Sequence, residues 1–129
     1  MGKDETKDEG VKLGKQILYP KDMKFSITYK GEIFTMRYPM PFEKQQIEAE
    51  IARRLDGHPR ATYSNDALML LEATAYVNAL VIAEESPSWF TSAWTCMDEE
   101  LIATLYGEYL SFRSTFRKKL QEGGFTASR

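Results

Sequence analysis

MKFSITYKGEIFTMRY, residues 23–38, is the stretch of sequence that most clearly defines the fold. Apolar and polar residues alternate on both sides of Lys30-Gly31, as in two strands that each bury one face. A two-residue turn at Lys30-Gly31 aligns three apolar pairs on one side of the ribbon: Ile27 with Phe34, Phe25 with Met36, and Met23 with Tyr38. The opposite side carries polar pairs that suit contact with water: Ser26 with Thr35, and Lys24 with Arg37. The pattern therefore predicts an antiparallel β-hairpin.

Two helices are predicted after the hairpin from the spacing of apolar residues. The first starts at Pro41, because proline suits the first turn of a helix, and ends before Gly57 and Pro59. Its apolar stripe consists of Phe42, Ile47, Ile51 and Leu55. The second helix covers residues 67–83, with Ser64 as its N-cap. Since it is apolar nearly all round, we expect it to be buried on most sides and central in the fold.

A third helix is predicted from Asp98-Glu99-Glu100 to about Leu120, before Gly123-Gly124. The acidic residues at its start and the basic residues at its end both complement the helix dipole. One stripe of this helix is apolar: Leu101, Leu105, Tyr109, Phe112 and Phe116, widened by Ile102 and Tyr106.

The predicted class is α+β, with an N-terminal antiparallel β-hairpin packed on a three-helix bundle. The hairpin needs this support because an isolated two-stranded ribbon is only marginally stable. Residues 1–16 alternate lysine with acidic residues and are nearly free of apolar side chains, so we expect a mobile charged tail. Residues 17–125 then form a single domain, and residues 126–129 a C-terminal tail.

Length and charge exclude several function classes. The chain has 129 residues, enough for one domain, and a net charge of −2. No basic stripe is present, so we expect no nucleic-acid partner. The longest apolar stretch, residues 67–83, contains Glu72, Thr74 and Asn78 and is too short for a membrane span. With no apolar signal segment at the N-terminus, the chain is expected in the cytoplasm where it is made.

Candidate catalytic groups are few. His58, the one histidine, lies between Gly57 and Pro59 in a predicted turn, which is typical of a solvated loop histidine. Cys96 lies among aromatic and apolar residues, as expected of a buried, inert thiol. No metal site, cofactor or glycine-rich phosphate loop is predicted, and the chain is not expected to be an enzyme. A small enzyme or a nucleic-acid binder would need a deep polar pocket or a basic face.

The aromatic residues Trp89, Phe90 and Trp94 follow the break at Ser86-Pro87-Ser88 and have two interpretations. These rings either cap the open end of the core or serve as partly exposed anchors for a protein partner. The two interpretations are compatible with each other.

Four charged residues are also candidates for partner contacts. Glu72 lies in an otherwise apolar helix, where it has three interpretations: it marks the one solvent-facing stripe of the helix, it pairs with a basic residue such as Arg53 or Arg113, or it contacts a partner. The other three are cations on the outer face of the hairpin, where they suit an acidic partner or single-stranded RNA but are too few to establish either: Lys24, Lys30 and Arg37.

The order of these segments carries a family resemblance. The segments are the hairpin ending in Arg37-Tyr38-Pro39-Met40-Pro41, the helix 43–55, the alanine-rich helix 70–83, Ser86-Pro87-Ser88-Trp89-Phe90, and a last helix with Asp98-Glu99-Glu100-Leu101 and Leu105-Tyr106-Gly107-Glu108-Tyr109. Over about residues 22–125 this order resembles the tail assembly chaperones of long-tailed bacteriophages. The resemblance is one of pattern and supplies no catalytic residues to transfer.

What the resemblance implies is a non-enzymatic protein of the host cell cytoplasm. Such a protein coats the tape-measure protein and recruits tail-tube subunits during virion morphogenesis, and it is compatible with a homo-oligomer. The alternative is a structural virion protein of the phage neck or baseplate, which would be retained in the virion. An N-terminal arm ordered on a neighbouring subunit would favour that alternative.

Overall fold

The computed structural model describes residues 11–13, 16–18 and 23–122. Strands β1 (Val11–Leu13) and β2 (Gln16–Leu18) form one antiparallel pair, and β3 (Lys24–Tyr29) and β4 (Glu32–Arg37) form another. Helices α1 (Pro41–Leu55), α2 (Asn65–Leu80) and α3 (Glu99–Gln121) follow, with short 3₁₀ turns at Arg60–Thr62, Ala83–Glu85 and Ala93–Thr95. The predicted α+β class, a hairpin on three helices, is confirmed.

The boundary of the predicted tail differs from the structure. We expected the tail to extend to residue 16, whereas β1 already begins at Val11 and pairs with β2. The alternation of Val11 and Leu13 with lysine is a short strand pattern that the charged composition of the segment obscures. Residues 1–10 and 14–15 of the predicted tail, 19–22 and 123–125 of the predicted domain, and the predicted C-terminal tail 126–129 lie outside the described residues.

The register of the main hairpin is the predicted one. Ile27 pairs with Phe34, Phe25 with Met36, and the backbone N–H of Tyr38 donates to the Met23 carbonyl at 2.7 Å. Both turn residues have positive φ, 50° at Lys30 and 84° at Gly31, as a type I′ turn requires. This turn matches the twist of the strands, so the apolar side of β3 and β4 is held toward the helices.

The expectation that the polar side of the hairpin faces water is wrong at Thr35, which is 6% exposed. The chain after α2 lies along β4, where Val81 forms an isolated antiparallel bridge with Met36. The Ile82 N–H donates to the Thr35 carbonyl at 2.8 Å, and the Thr35 N–H donates to the Ser86 hydroxyl at 3.2 Å. A segment distant in sequence thus covers this edge, which period-two alternation cannot reveal.

Burial of α2 is also less complete than predicted. Its C-terminal half is buried from Ala73 to Val77 and at Leu80, but Met69 in its first half is exposed, and the helix ends at Leu80 rather than at residue 83. In α1, Ile47, Ile51 and Leu55 are buried as expected, whereas Phe42 is 60% exposed. Apolar composition shows which residues of a helix are suited to burial. The packing of neighbouring elements determines which of these residues are covered.

Helix α3 supplies the opposite wall of the core. Leu101, Ile102, Leu105, Tyr109 and Phe116 of its predicted stripe are buried. Tyr38 from the hairpin stacks on Phe116 at 4.3 Å, and Phe25 stacks on Phe112 at 4.4 Å. Rings therefore connect the hairpin to α3 along the length of the core.

Within the described part of the chain, no helix has the length and apolar composition that crossing a bilayer requires.

Candidate partner-binding surface

The three aromatic residues singled out from the sequence occupy three different environments. Phe90 is 7% exposed and packs edge-on against Phe34, with ring centroids 5.5 Å apart. Trp89 is 54% exposed, and Trp94 is partly buried at a groove between α1 and α2. The two interpretations of the cluster thus apply to different members: Phe90 is a core residue and Trp89 is a candidate anchor.

Although exposed, Trp89 is fixed in orientation. Its indole N–H donates to both carboxylate oxygens of Glu32, at 2.9 and 3.1 Å. Its ring lies edge-on against Phe34 and against Phe90, each at 6.0 Å between centroids. The hydrogen bond comes from the hairpin tip and the ring contacts from the core, so the indole loses little rotamer freedom when another molecule covers it.

A shallow hollow of about 190 Å³ adjoins Trp89. Its lining includes Phe90, Cys96 and Asp98, together with Met97, whose side chain is 94% exposed. We call the set formed by Trp89, Phe90, Cys96, Met97 and Asp98 the Trp89 surface. Cys96 was expected to be buried and is only partly so; its Sγ lies 3.8 Å from the Asp98 carbonyl oxygen.

Asp98 links the Trp89 surface to helix α3 and to the hairpin tip. Its carboxylate accepts from the Leu101 N–H at 3.1 Å as the N-cap of α3, and from the Tyr29 hydroxyl at 3.1 Å. The Lys30 ammonium lies 4.0 Å away. The Leu101 N–H, followed by the Tyr29 hydroxyl, holds the pKa of Asp98 below its usual value, so the group is ionised at neutral pH.

The groove that contains Trp94 has a different character. It has a volume of about 510 Å³, and the Arg54 guanidinium covers the Trp94 ring at 3.5 Å from the centroid. Glu50 accepts from both Arg53 and Arg54, and these bonds lower the pKa of Glu50 to about 2. The groove therefore contains oppositely charged groups that already pair with one another, and the Arg54 guanidinium already covers the face of the Trp94 ring.

The three cations predicted on the outer hairpin face do not form a common basic face. Each lies near a carboxylate of a different segment: Lys24 near Glu85 at 2.9 Å, Lys30 near Asp98 at 4.0 Å, and Arg37 with Glu43, where one bond of the bidentate pair is 2.7 Å. These contacts offset the positive charge that an acidic partner would need.

Glu72 is partly buried on α2 and forms no salt bridge with Arg53 or Arg113 among the described residues. Arg53 pairs with Glu50, and Arg113 lies 5.9 Å from the centroid of the Tyr109 ring. Burial, with a contribution from the Glu72 charge, raises the pKa of Tyr106. The predicted pairing with Arg53 or Arg113 is therefore not formed, and Glu72 borders the tyrosine-rich part of the core.

His58 is exposed, with its ring edge-on to Tyr63 at 6.4 Å. In the ranges that the structure describes, no group of three His, Cys, Asp or Glu side chains is placed to hold a metal ion. Sequence reasoning missed three members of the Trp89 surface, Cys96, Met97 and Asp98, and also Glu32, which holds the indole. An isolated methionine beside Asp98 was the available signal for Met97, whereas nothing local marks Glu32 as the hydrogen-bond partner of Trp89.

The Trp89 surface thus offers an oriented indole, a flexible thioether and a shallow hollow with carboxylates around it. Groups of this kind favour contact with another macromolecule, because Trp and Met are enriched where protein surfaces meet. Comparison of the chain with protein-family models, with curated proteins and with solved structures finds no match.

Proposed function

We propose that this chain is a non-enzymatic protein-binding domain that serves as a tail assembly chaperone of a long-tailed bacteriophage. In this role it binds the tape-measure protein and recruits tail-tube subunits in the host cytoplasm. The order of segments along the chain supports the phage assignment. The observation that carries the binding role is Trp89, which is 54% exposed and yet held by Glu32 and by two rings.

An oriented, exposed tryptophan favours protein binding for energetic reasons. Most residues at an interface contribute little, whereas a few aromatic or arginine residues dominate the affinity. A side chain that is already immobile costs less entropy on binding than a free one. Trp89 satisfies both conditions, because half of its surface is exposed to solvent and its orientation is set by contacts within the fold.

The size of the adjacent hollow also favours a protein partner. At about 190 Å³ it is smaller than the 300–1,000 Å³ typical of pockets for small molecules. It suits a single side chain inserted between Trp89 and Met97. A partner that places one apolar side chain there would cover both exposed apolar residues in a single contact.

The proposal is tested by co-expressing the chain with the tape-measure protein of the same phage and measuring their co-purification and affinity. Trp89→Ala is expected to weaken the complex at least about tenfold, as loss of an aromatic anchor does. Phe42→Ala is the matched control, since Phe42 is an equally exposed aromatic residue at 60% on another element. If the wild-type chain does not bind the tape-measure protein, the chaperone assignment is wrong. Binding that is unaffected by Trp89→Ala excludes the Trp89 surface.

Mass spectrometry of purified virions separates the chaperone from a structural component. A chaperone leaves the assembled tail, so its peptides are expected in lysates of infected cells and not in virions. Stoichiometric amounts in the virion would instead favour a neck or baseplate protein.

A further inference from the structure

We infer that the Trp89 surface binds a partner segment that carries lysine or arginine next to an apolar anchor residue. The inference rests on the proposed function for the partner's identity and adds the chemistry of the segment that is bound. It is argued from the charge around the surface and from the exposed apolar groups at its centre.

Charge is distributed unevenly along this chain. Residues 61–112 contain eight aspartate and glutamate residues and no lysine or arginine. All 17 basic residues lie outside this range. The net charge of −2 does not reveal this asymmetry, because the acidic and basic segments nearly cancel. The Trp89 surface belongs entirely to the acidic range, so it carries a local negative charge that the net charge does not show.

The structure places two carboxylates directly at this surface, and two more follow in the next turn of the chain. Glu32 holds the indole, Asp98 lines the hollow, and the exposed Glu99 and Glu100 follow in the first turn of α3. Within residues 23–122, Lys30 is the cation that approaches this group, at 4.0 Å from Asp98, and its side chain is 72% exposed. In this described part of the chain, one loosely held lysine leaves most of the negative charge uncompensated, which favours a basic partner and disfavours an acidic one.

The apolar centre sets the second requirement. Met97, at 94% exposed, and Trp89 flank a hollow sized for one aliphatic side chain. Covering them supplies affinity by removing apolar surface from water. The exposed part of the indole ring also attracts a cation, because the face of an aromatic ring is electronegative. A short segment with one apolar residue beside lysine or arginine meets all of these conditions together.

The test uses three short synthetic peptides with the protein at full length. The first carries leucine at helical spacing among lysines, the second replaces each lysine by glutamate, and the third replaces each leucine by alanine. The lysine–leucine peptide is expected to bind at least about tenfold more tightly than either of the others. Its affinity should fall as salt is added, because exposed charges are screened. Isothermal titration calorimetry at low and physiological salt measures both effects.

Two charge-neutralising variants locate the contact. Glu99→Gln/Glu100→Gln is expected to weaken the lysine–leucine peptide about threefold or more and to reduce its salt dependence. Glu108→Gln/Glu122→Gln removes the same charge in the middle of α3 and at its C-cap, and should change the affinity by less than about twofold. Trp89→Ala should abolish the preference for leucine over alanine.

The outcomes distinguish this inference from the proposed function. Equal binding of the lysine and glutamate peptides, or binding of neither, overturns the inference, while Trp89-dependent binding of the tape-measure protein would still support the function. The reverse result, a Trp89-dependent lysine peptide with no tape-measure complex, supports the inference and removes the assigned function. Self-association that Trp89→Ala disrupts would assign the surface to a second copy and would also overturn the inference.

Discussion

Trp89 and Phe90 are consecutive residues with opposite surroundings. The Phe90 ring is buried edge-on against Phe34, which is itself fully buried. Trp89 contacts the same ring from the solvent side and donates its N–H to Glu32. One aromatic residue therefore contributes to the core and the next to the surface. Substitutions at the two positions should have separable effects.

At the residue scale we expect Phe90→Ala to lower the free energy of unfolding by about 3–5 kcal/mol, because it removes a buried ring and leaves a cavity. Trp89→Ala should lower it by less than about 1 kcal/mol, since half of this ring is in water. Urea denaturation of both variants measures the difference. An equally large loss with Trp89→Ala would mean that this residue is part of the core and not a binding anchor.

At the element scale the main hairpin and α3 give glycine two opposite roles. Gly31 has φ 84° in the turn between β3 and β4, a conformation that costs energy for any residue with a Cβ. Gly107 lies inside α3, and apart from its chain neighbours and the adjacent backbone of the helix, a Cβ added there meets no atom within 4 Å. The same substitution should therefore destabilise one element and stabilise the other.

We expect Gly31→Ala to cost about 1–2 kcal/mol through the left-handed backbone conformation. Gly107→Ala should add about 0.5–1 kcal/mol, because glycine weakens a helix interior relative to alanine. Thermal denaturation of the two variants checks both signs. Stabilisation by Gly31→Ala would contradict the type I′ turn.

The junction between β4 and α1 depends on Glu43, in the first turn of that helix. Its carboxylate pairs with Arg37 on β4 and accepts from the Met40 N–H at 2.9 Å. The Arg37 guanidinium chiefly, and the Met40 N–H next, hold the pKa of Glu43 below its ordinary value of 4.5. One side chain thus completes the helix start and fixes the helix to the hairpin.

Glu43→Gln is expected to lower the free energy of unfolding by about 1–2 kcal/mol at pH 7, because the neutral amide loses the ion pair with Arg37 and accepts from the Met40 N–H only as an uncharged group. A carboxyl whose pKa is lower in the folded state stabilises the protein above its unfolded pKa, and this contribution disappears as the pH falls through the folded pKa. The difference between wild type and Glu43→Gln should therefore be full at pH 7 and shrink below pH 4.5. Denaturant titrations across this pH range measure it, and a constant difference would contradict the assignment.

At the scale of the whole molecule, the segment after α2 joins the helices to the hairpin. Val81 and Ile82 pair alongside β4, through the antiparallel bridge to Met36 and the hydrogen bond to the Thr35 carbonyl. The Ser86 hydroxyl then accepts from the Thr35 N–H at 3.2 Å and donates to the Ile82 carbonyl at 2.8 Å. The same segment leads into Trp89, so its pairing with β4 also positions the Trp89 surface.

Ser86→Ala should lower the free energy of unfolding by about 1–3 kcal/mol, since it leaves the buried Thr35 N–H without its acceptor. Ser88→Ala, two residues further along at an exposed position, is the matched control and should change stability by less than about 0.5 kcal/mol. Hydrogen exchange gives a second measurement, because the Thr35 amide should exchange faster in Ser86→Ala than in the control. Equal effects of the two variants would remove Ser86 from this role.

The sequence predicted the hairpin correctly, down to its register and turn. Period-two alternation has one solution there that buries Phe25, Ile27, Phe34 and Met36 together. It also predicted the start of α1 at Pro41 and the buried stripe of α3. The exposure of Phe42 and Met69 was not predictable, because an apolar residue at helical spacing has the same pattern with or without a neighbour to cover it.

What the sequence alone determined is local: strand pairing, helix starts and stops, and the presence of three aromatic residues after α2. These features depend on residues close in the chain, whose geometry is set by backbone preferences and side-chain period. The tertiary structure decided which aromatic ring is exposed, which carboxylate holds it, and that Thr35 is covered by residues 82–86. Such contacts join residues about 50 to 60 positions apart, and they follow from how the elements pack, which no local pattern specifies.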